Sequence, residues 1–342
     1  MTVCTRRADK ASAIPIFPNF IFVNIKLHPY QLEFVFPFRI AHGTRTHTEA
    51  LFVELELDGI TAFGEATFPP YLPYTRAVTV ESLSRVDMTS LVNPAGTVID
   101  PRESLLPYLD MEPPALAALD MALWTLKAKS EKTTIGALLG ITETFATPRT
   151  YTISVCDREE MSMRLGHGRS KGFSFFKLKL DGVHDRQMIS DYRALSNAPF
   201  AVDANQAWTD TGYALEISRE LEHQRCVLIE QPFHRDDLAH TQALGAQLSI
   251  PLIADEACQI YEDIDRVKGH FSGINVKLQK CGGISQAYKM IRYAKSQGLK
   301  VLIGCMSESI IGCSAGEALP PLCDWNDLDG SYLVKEVPFS NQ

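Results

Sequence analysis

From about residue 20 to residue 65 apolar and polar positions alternate in short runs: Phe20-Ile21-Phe22-Val23, Leu32 to Phe38, and Leu51-Phe52-Val53-Glu54-Leu55-Glu56-Leu57. A period of two puts alternate side chains on one face, which predicts β-strands. Asp58-Gly59 joins the last run to Ile60-Thr61-Ala62-Phe63-Gly64-Glu65, a short hairpin signal, so the segment is expected to form an antiparallel meander. Ala41 to Thr48, rich in Thr and His, reads as a polar loop between strands, and the prolines of Phe68-Pro69-Pro70-Tyr71-Leu72-Pro73-Tyr74 fix a second loop. Pro113 to Lys127 then predicts a helix, with proline at its start and Leu116, Leu119, Leu123 and Leu126 on one face. Asp120 within it is expected to be a charge satisfied at the helix surface.

After about Thr147 the pattern changes to apolar strand, polar loop and amphipathic helix in repetition. Strand-like runs fall at 150–155, 175–180, 199–202, 226–229, 251–254, 273–276 and 300–303, with helices such as Gly212 to His223 and Ser285 to Gln297 between them. Alternation of this kind argues for a parallel sheet, and its number of repeats for a closed (β/α) barrel with its site at the C-terminal strand ends. No G-x-G-x-x-G follows a first strand, which disfavours an open dinucleotide-binding sheet.

Charge changes the picture most at the ends of these runs. Lys177 and Lys179 close the second run two residues apart and share a strand face. Their mutual repulsion in a poorly solvated place predicts that at least one pKa falls toward neutrality, making a usable base. Asp203, Glu230, Asp255 and Lys277 close the next four runs, at steps of 24 (203 − 179), 27 (230 − 203), 25 (255 − 230) and 22 (277 − 255) residues, about one βα unit each. A barrel therefore gathers them in one ring. Three neighbouring carboxylates form the all-oxygen ligand set that a hard divalent cation such as Mg²⁺ prefers. Lysines on the second and sixth strands lie across the barrel from each other, so a carboxylate substrate between them has an amine near each face. That suits removal of an α-proton and its return from the opposite side, hence racemisation or epimerisation.

Composition bounds the rest. The 342 residues have 45% hydrophobic and 22% charged content, and 33 Lys+Arg against 41 Asp+Glu give a net charge of −8 with no basic run, so nucleic acid is not an expected partner. No apolar run approaches the roughly 18 residues of a membrane span. Residues 1–19 carry Arg6, Arg7 and Lys10 without a following apolar stretch and read as a disordered lead. Eight scattered cysteines without C-x-x-C spacing read as buried small hydrophobes of a reducing, cytoplasmic setting.

Taken together, Lys177-Leu178-Lys179, Asp203-Ala204-Asn205, Glu230-Gln231-Pro232, Ala254-Asp255-Glu256 and Lys277-Leu278-Gln279-Lys280-Cys281-Gly282-Gly283 resemble the signatures of the enolase superfamily, in its muconate-lactonizing-enzyme subgroup. Ala118 to Trp124 resembles that superfamily's hinge helix. The resemblance implies a modified TIM barrel, (β/α)7β, with an α+β capping domain. Residues 20–146 would form the capping domain, 147–330 the barrel, and 331–342 a tail returning to the cap. It further implies Lys179 and Lys277 as acid/base residues, Lys177 as an electrostatic tuner, and Asp203, Glu230 and Asp255 as ligands of one Mg²⁺ per subunit. Asn205 and Glu256 would support these ligands, and Lys280 would be non-catalytic. Asp327-Leu328-Asp329 resembles the D-x-D with which dipeptide epimerases (L-Ala-D/L-Glu epimerase-like) hold a substrate ammonium group. The expectation is a Mg²⁺-dependent dipeptide epimerase working through a metal-stabilised enolate, assembled as a homo-oligomer. An o-succinylbenzoate synthase or muconate-type cycloisomerase on the same scaffold, or an inactive metal-binding barrel, are the alternatives. Gly43 stands where Ala-Glu enzymes of the family place a loop arginine, leaving Arg45 or His42 to replace it, or a hydrophobic or small substrate instead.

Overall fold

The computed structural model describes residues 23–41, 43–143, 147–337 and 339; the lead 1–19, Phe20 to Phe22 and His42 lie outside the described residues. Val23 is described and precedes the first strand. Strands β1 (Asn24–Ile40), β2 (Gly43–Leu57) and β3 (Ile60–Phe68) form an antiparallel sheet in the order β1-β2-β3. Asp58 and Gly59 both take positive φ, 50° and 78°, as a two-residue turn matched to the strand twist requires.

The polar stretch after Ala41 is not a loop. Gly43, Thr44 and Arg45 pair with Ile40, Arg39 and Phe38, so both strands run almost to the tip of the hairpin. Threonine is a good strand former, and polar side chains suit a ribbon with a solvated face. Between Glu33↔His47 and Phe38↔Arg45 the register shifts, leaving β1 with three extra residues ((38 − 33) − (47 − 45)).

The helix Pro113–Ser130 packs on β3. A Cβ on Gly64 would sit 1.9 Å from the Ala118 carbonyl oxygen, so only glycine permits this approach. One side of the helix (Leu116, Leu119, Leu123) joins the core of the small sheet, while Ala117, Met121 and Trp124 join the core of the barrel. Asp120 is consequently fully buried rather than on a solvated surface. It accepts hydrogen bonds from the Ser285 amide (3.1 Å) and hydroxyl at the start of helix Ile284–Ser296, and burial pushes its carboxyl up to about 7.

Eight parallel strands follow: β4 (Thr150–Ile153), β5 (Phe175–Lys179), β6 (Phe200–Asp203), β7 (Cys226–Glu230), β8 (Leu252–Ala254), β9 (Gly273–Lys277), β10 (Lys300–Gly304) and β11 (Trp325–Asp327). They are ordered β11-β10-β9-β8-β7-β6-β5-β4. A parallel bridge Arg149↔Asn326, with the Thr150 hydroxyl donating to the Asn326 carbonyl at 3.1 Å, brings the first and last strands together as a barrel requires. Helices such as Arg158–Ser170, Asp185–Leu195 and Thr211–His223 connect the strands. After β11 the chain returns to the small sheet, where Val334 bridges Phe34 and the Lys335 amide donates to the Glu33 carbonyl at 2.8 Å. Among the described residues no helix is long and apolar enough to cross a membrane.

Candidate active site

Parallel register sets the ring of charges. Lys179, Asp203 and Glu230 are consecutive partners across β5, β6 and β7. Lys277, Gly304 and Asp327 are consecutive partners across β9, β10 and β11, and Asp255 follows the last residue of β8. A row of this kind puts end-of-strand side chains side by side. Carboxylate oxygens of buried Asp203, Glu230 and Asp255 lie within 4.8 Å of one another.

Each lysine meets a carboxylate. Lys179 Nζ is 2.6 Å from Asp203 Oδ2, and Lys277 Nζ is 2.6 Å from Asp255 Oδ2. Lys177 Nζ lies 3.1 Å from Glu230 Oε2 and pairs with Asp327, whose other oxygen accepts the Thr150 hydroxyl. The expectation of a depressed lysine is not met, because carboxylates rather than the neighbouring lysine dominate the surroundings of each ammonium. Burial disfavours each ammonium, but Asp203 beside Lys179 and Asp255 beside Lys277 override it and raise both pKa values, and Asp327 with Glu230 does the same for Lys177. The sequence displays the lysine neighbours on one strand and hides the carboxylates on the next.

The carboxylates behave as a crowded set. Burial and then repulsion from Asp203 push Glu230 up to about 7. Burial opposes ionisation of Asp255, yet Lys277 and Lys280 hold it well below the usual carboxylate range. Burial and Asp255 push Glu256 up to about 8, and its Oε2 atom is buried without a hydrogen-bond partner. Asn205 donates from its amide to Asp203 (2.8 Å) and from its side chain to Glu256 Oε1 (3.5 Å). Three close oxygen donors that repel one another, with an unsatisfied fourth carboxylate oxygen nearby, fit a hard divalent cation such as Mg²⁺.

Above the triad lies a cleft of about 60 Å³ that residues of the small sheet help to cover. Its floor holds Lys177, Lys179, Lys277, Asn205, Asp255 and Glu256; Asp327 and Asp329 stand on the β11 side, and Phe38, Ile40, Arg45, Tyr71 and Leu72 come from the meander and the proline-rich loop. Asp329 accepts the Thr152 amide at 2.5 Å, and burial followed by repulsion from Asp327 pushes it up to about 7. Arg45 lies over the rings of Phe34 (5.5 Å), Tyr71 (5.6 Å) and Phe38 (6.0 Å), and burial lowers its pKa. Its Nη1 is buried without a partner, and among the described residues no carboxylate lies within ion-pair distance. Gly43 sits at the hairpin tip, two residues before it.

Residues 23–140 match the mandelate racemase/muconate lactonizing enzyme N-terminal domain, and residues 162–320 the enolase C-terminal domain-like family. An L-Ala-D/L-Glu epimerase of Bacteroides thetaiotaomicron is 34% identical over 315 residues, 91% of this chain and 81% of that protein. The chain belongs to the enolase superfamily. Another member, a hydrophobic dipeptide epimerase of Flavobacteria bacterium, is 31% identical over 322 residues, covering 91% of this chain and 90% of its own. Among solved structures, a dipeptide epimerase from Enterococcus faecalis V583 complexed with Mg and the dipeptide L-Leu-L-Tyr is 25% identical, with a TM-score of 0.80 over 93% of each chain. The fold expected from the superfamily resemblance, a barrel with an α+β cap, is the one observed.

Asn275 carries no role in the motifs, and the way Gln231 and Lys280 hold the site becomes visible only in the fold. Asn275 donates to Glu230 Oε1 at 2.6 Å from the same strand face as Lys277, and Gly304 leaves room for it, since a Cβ there would lie 2.5 Å from Asn275 Oδ1. The period of two that paired Lys177 with Lys179 pairs Asn275 with Lys277 and Thr150 with Thr152, so the signal was present. Gln231 Oε1 accepts the amides of Asp255 and Ala257, both at 3.0 Å, and fixes the turn after β8. Lys280 donates to Asp255 Oδ1 (2.6 Å) and to the carbonyls of Cys258 and Asn275, turning its charge inward as a brace.

Proposed function

We propose that this protein is a dipeptide epimerase that inverts the carbon α to the substrate carboxylate, with Lys179 and Lys277 as the two acid/base groups. The observation that carries this reading is the placement of two buried lysines on β5 and β9, at opposite sides of the Asp203–Glu230–Asp255 triad, beneath a cleft that also holds Asp327 and Asp329. A hydrolase or a cycloisomerase needs one base; opposed amines suit loss of a proton from one face and its return to the other.

Asp203, Glu230 and Asp255 would hold the divalent cation, which supplies charge neutralisation at the substrate carboxylate as the α-proton leaves. Lys179, as the free amine, takes the α-proton on one face, and the Lys277 ammonium delivers a proton to the same carbon on the other; the reverse pair serves the other epimer. Asp203 and Asp255, which keep Lys179 and Lys277 charged, are among the residues that would hold the cation, and its charge would offset theirs. Lys177 adds positive charge beside Lys179 and favours its neutral form. Asp329, with Asp327, faces the cleft as the acceptor for a substrate ammonium. Arg45, a half-buried cation whose Nη1 is buried without a partner, favours an acidic side chain on the residue being inverted. Names of relatives support both acidic and hydrophobic dipeptides in this subgroup.

The test is ¹H NMR of the purified protein with Mg²⁺ in D₂O against L-Ala-L-Xaa dipeptides. The expected outcome is loss of the α-hydrogen signal of the second residue with appearance of the L,D epimer, faster for Glu than for Leu at the second position. No exchange with any dipeptide removes the reading; exchange of Leu ahead of Glu removes the role of Arg45.

A further inference from the structure

Arg164 is only 5% exposed, on the barrel helix Arg158–Ser170, and does not line the cleft. A buried arginine ordinarily faces a carboxylate, yet its nearest is Glu160 at 3.8 Å, and its Nε has no partner. Its hydrogen bond goes across to the small sheet, where Nη2 donates to the Pro37 carbonyl at 2.9 Å while the guanidinium lies 5.2 Å over the Phe36 ring. Phe36 and Pro37 belong to the three-residue excess in β1. The barrel grips this stretch again two residues on, where the Val155 amide donates to the Arg39 carbonyl at 3.0 Å.

What the grip holds is the roof of the cleft. Phe38 and Ile40, the residues between and beyond the two held carbonyls, line it. The bulge also folds β1 back so that Phe34 stacks on Phe38 at 5.5 Å, and those two rings form part of the cage around Arg45. A bulge re-aims the side chains that follow it, and here its direction is set by a charge-assisted bond from outside the sheet.

We propose that Arg164 is a specificity-positioning residue: by holding the Pro37 carbonyl it fixes the height of Phe38, Ile40 and Arg45 over the cleft, and so the side chain that the cleft accepts. This rests on the reading of the protein as a dipeptide epimerase only for its substrate terms; the positional claim stands on the contacts alone. The selectivity comes from a barrel residue that never touches substrate.

The experiment compares wild type with Arg164→Met and Arg164→Lys, full chain with Mg²⁺, in two measurements. Hydrogen exchange is expected to quicken about tenfold at the amides of residues 38–45 in Arg164→Met, the equivalent of one charge-assisted hydrogen bond, with less change in Arg164→Lys and none in the barrel strands. Steady-state kinetics with L-Ala-L-Glu and L-Ala-L-Leu are expected to show the ratio of the two KM values moving about tenfold while kcat at saturation stays within twofold, with Arg164→Lys recovering part of the ratio. Unchanged exchange at residues 38–45 overturns the proposal, as does an equal change in both KM values, which would mark Arg164 as a plain structural brace. Absence of turnover by the wild type would count against the epimerase reading instead, and the hydrogen-exchange result would then decide the positional claim.

Discussion

At the scale of single residues, the buried carboxyls carry the clearest consequence for solution behaviour. Glu65 on β3 is fully buried and accepts from the Ser309 amide (2.9 Å) and the Gly312 amide (2.9 Å), with Glu308 close by. Burial and then repulsion from Glu308 push its carboxyl from the ordinary 4.5 up to about 8. Between those values the folded chain keeps a proton that the unfolded chain has lost, so this group's contribution to stability is greatest below pH 4.5 and declines as pH rises toward 8. Urea unfolding across that range should show a shallower decline in Glu65→Gln than in wild type; equal slopes would remove Glu65 as the cause. Sequence exposed the carboxylate triad because each of its acids closed an apolar run, a signal local to the chain. It did not expose Asp120 as a buried group, nor the lysine partners, because both depend on what neighbouring elements bring opposite.

Among the elements, the small sheet and the helix Pro113–Ser130 meet closely at Gly64 and Ala118. Gly64→Ala forces a methyl against the Ala118 carbonyl, and the expected loss is about 1–3 kcal/mol or more, read as a lower urea midpoint with an unchanged m-value. A midpoint within error of wild type would mean that the helix shifts freely, contrary to a helix with core residues on both sides. The two-residue turn at Asp58-Gly59 was legible because its chemistry is local. The β1–β2 tip reads as a loop because of its polar composition, whereas strand pairing resumes there beyond a bulge that no period reveals. β11, three residues long, is too short for any periodic signal and is found only through its D-x-D.

On the scale of the whole molecule, a barrel and a cap share one cleft, and the cation site proposed beneath it would tie stability to loading. Mg²⁺ at about 100 times its Kd should stabilise the folded chain by about 2.7 kcal/mol, a gain reversed by EDTA and lost in Asp203→Asn. An unaltered Tm with excess Mg²⁺ would contradict the ligand assignment. The architecture was legible because βα alternation and evenly spaced strand-end charges are global regularities. The central claim is that Lys179 and Lys277 serve opposite faces of one carbon, and the stereochemistry of α-hydrogen exchange in D₂O tests it most directly. Lys179→Ala and Lys277→Ala should each abolish epimerisation, and each should retain exchange of one epimer only, the L,L form in one variant and the L,D form in the other. Retention of the same epimer by both variants, or continued epimerisation by either, would contradict the account.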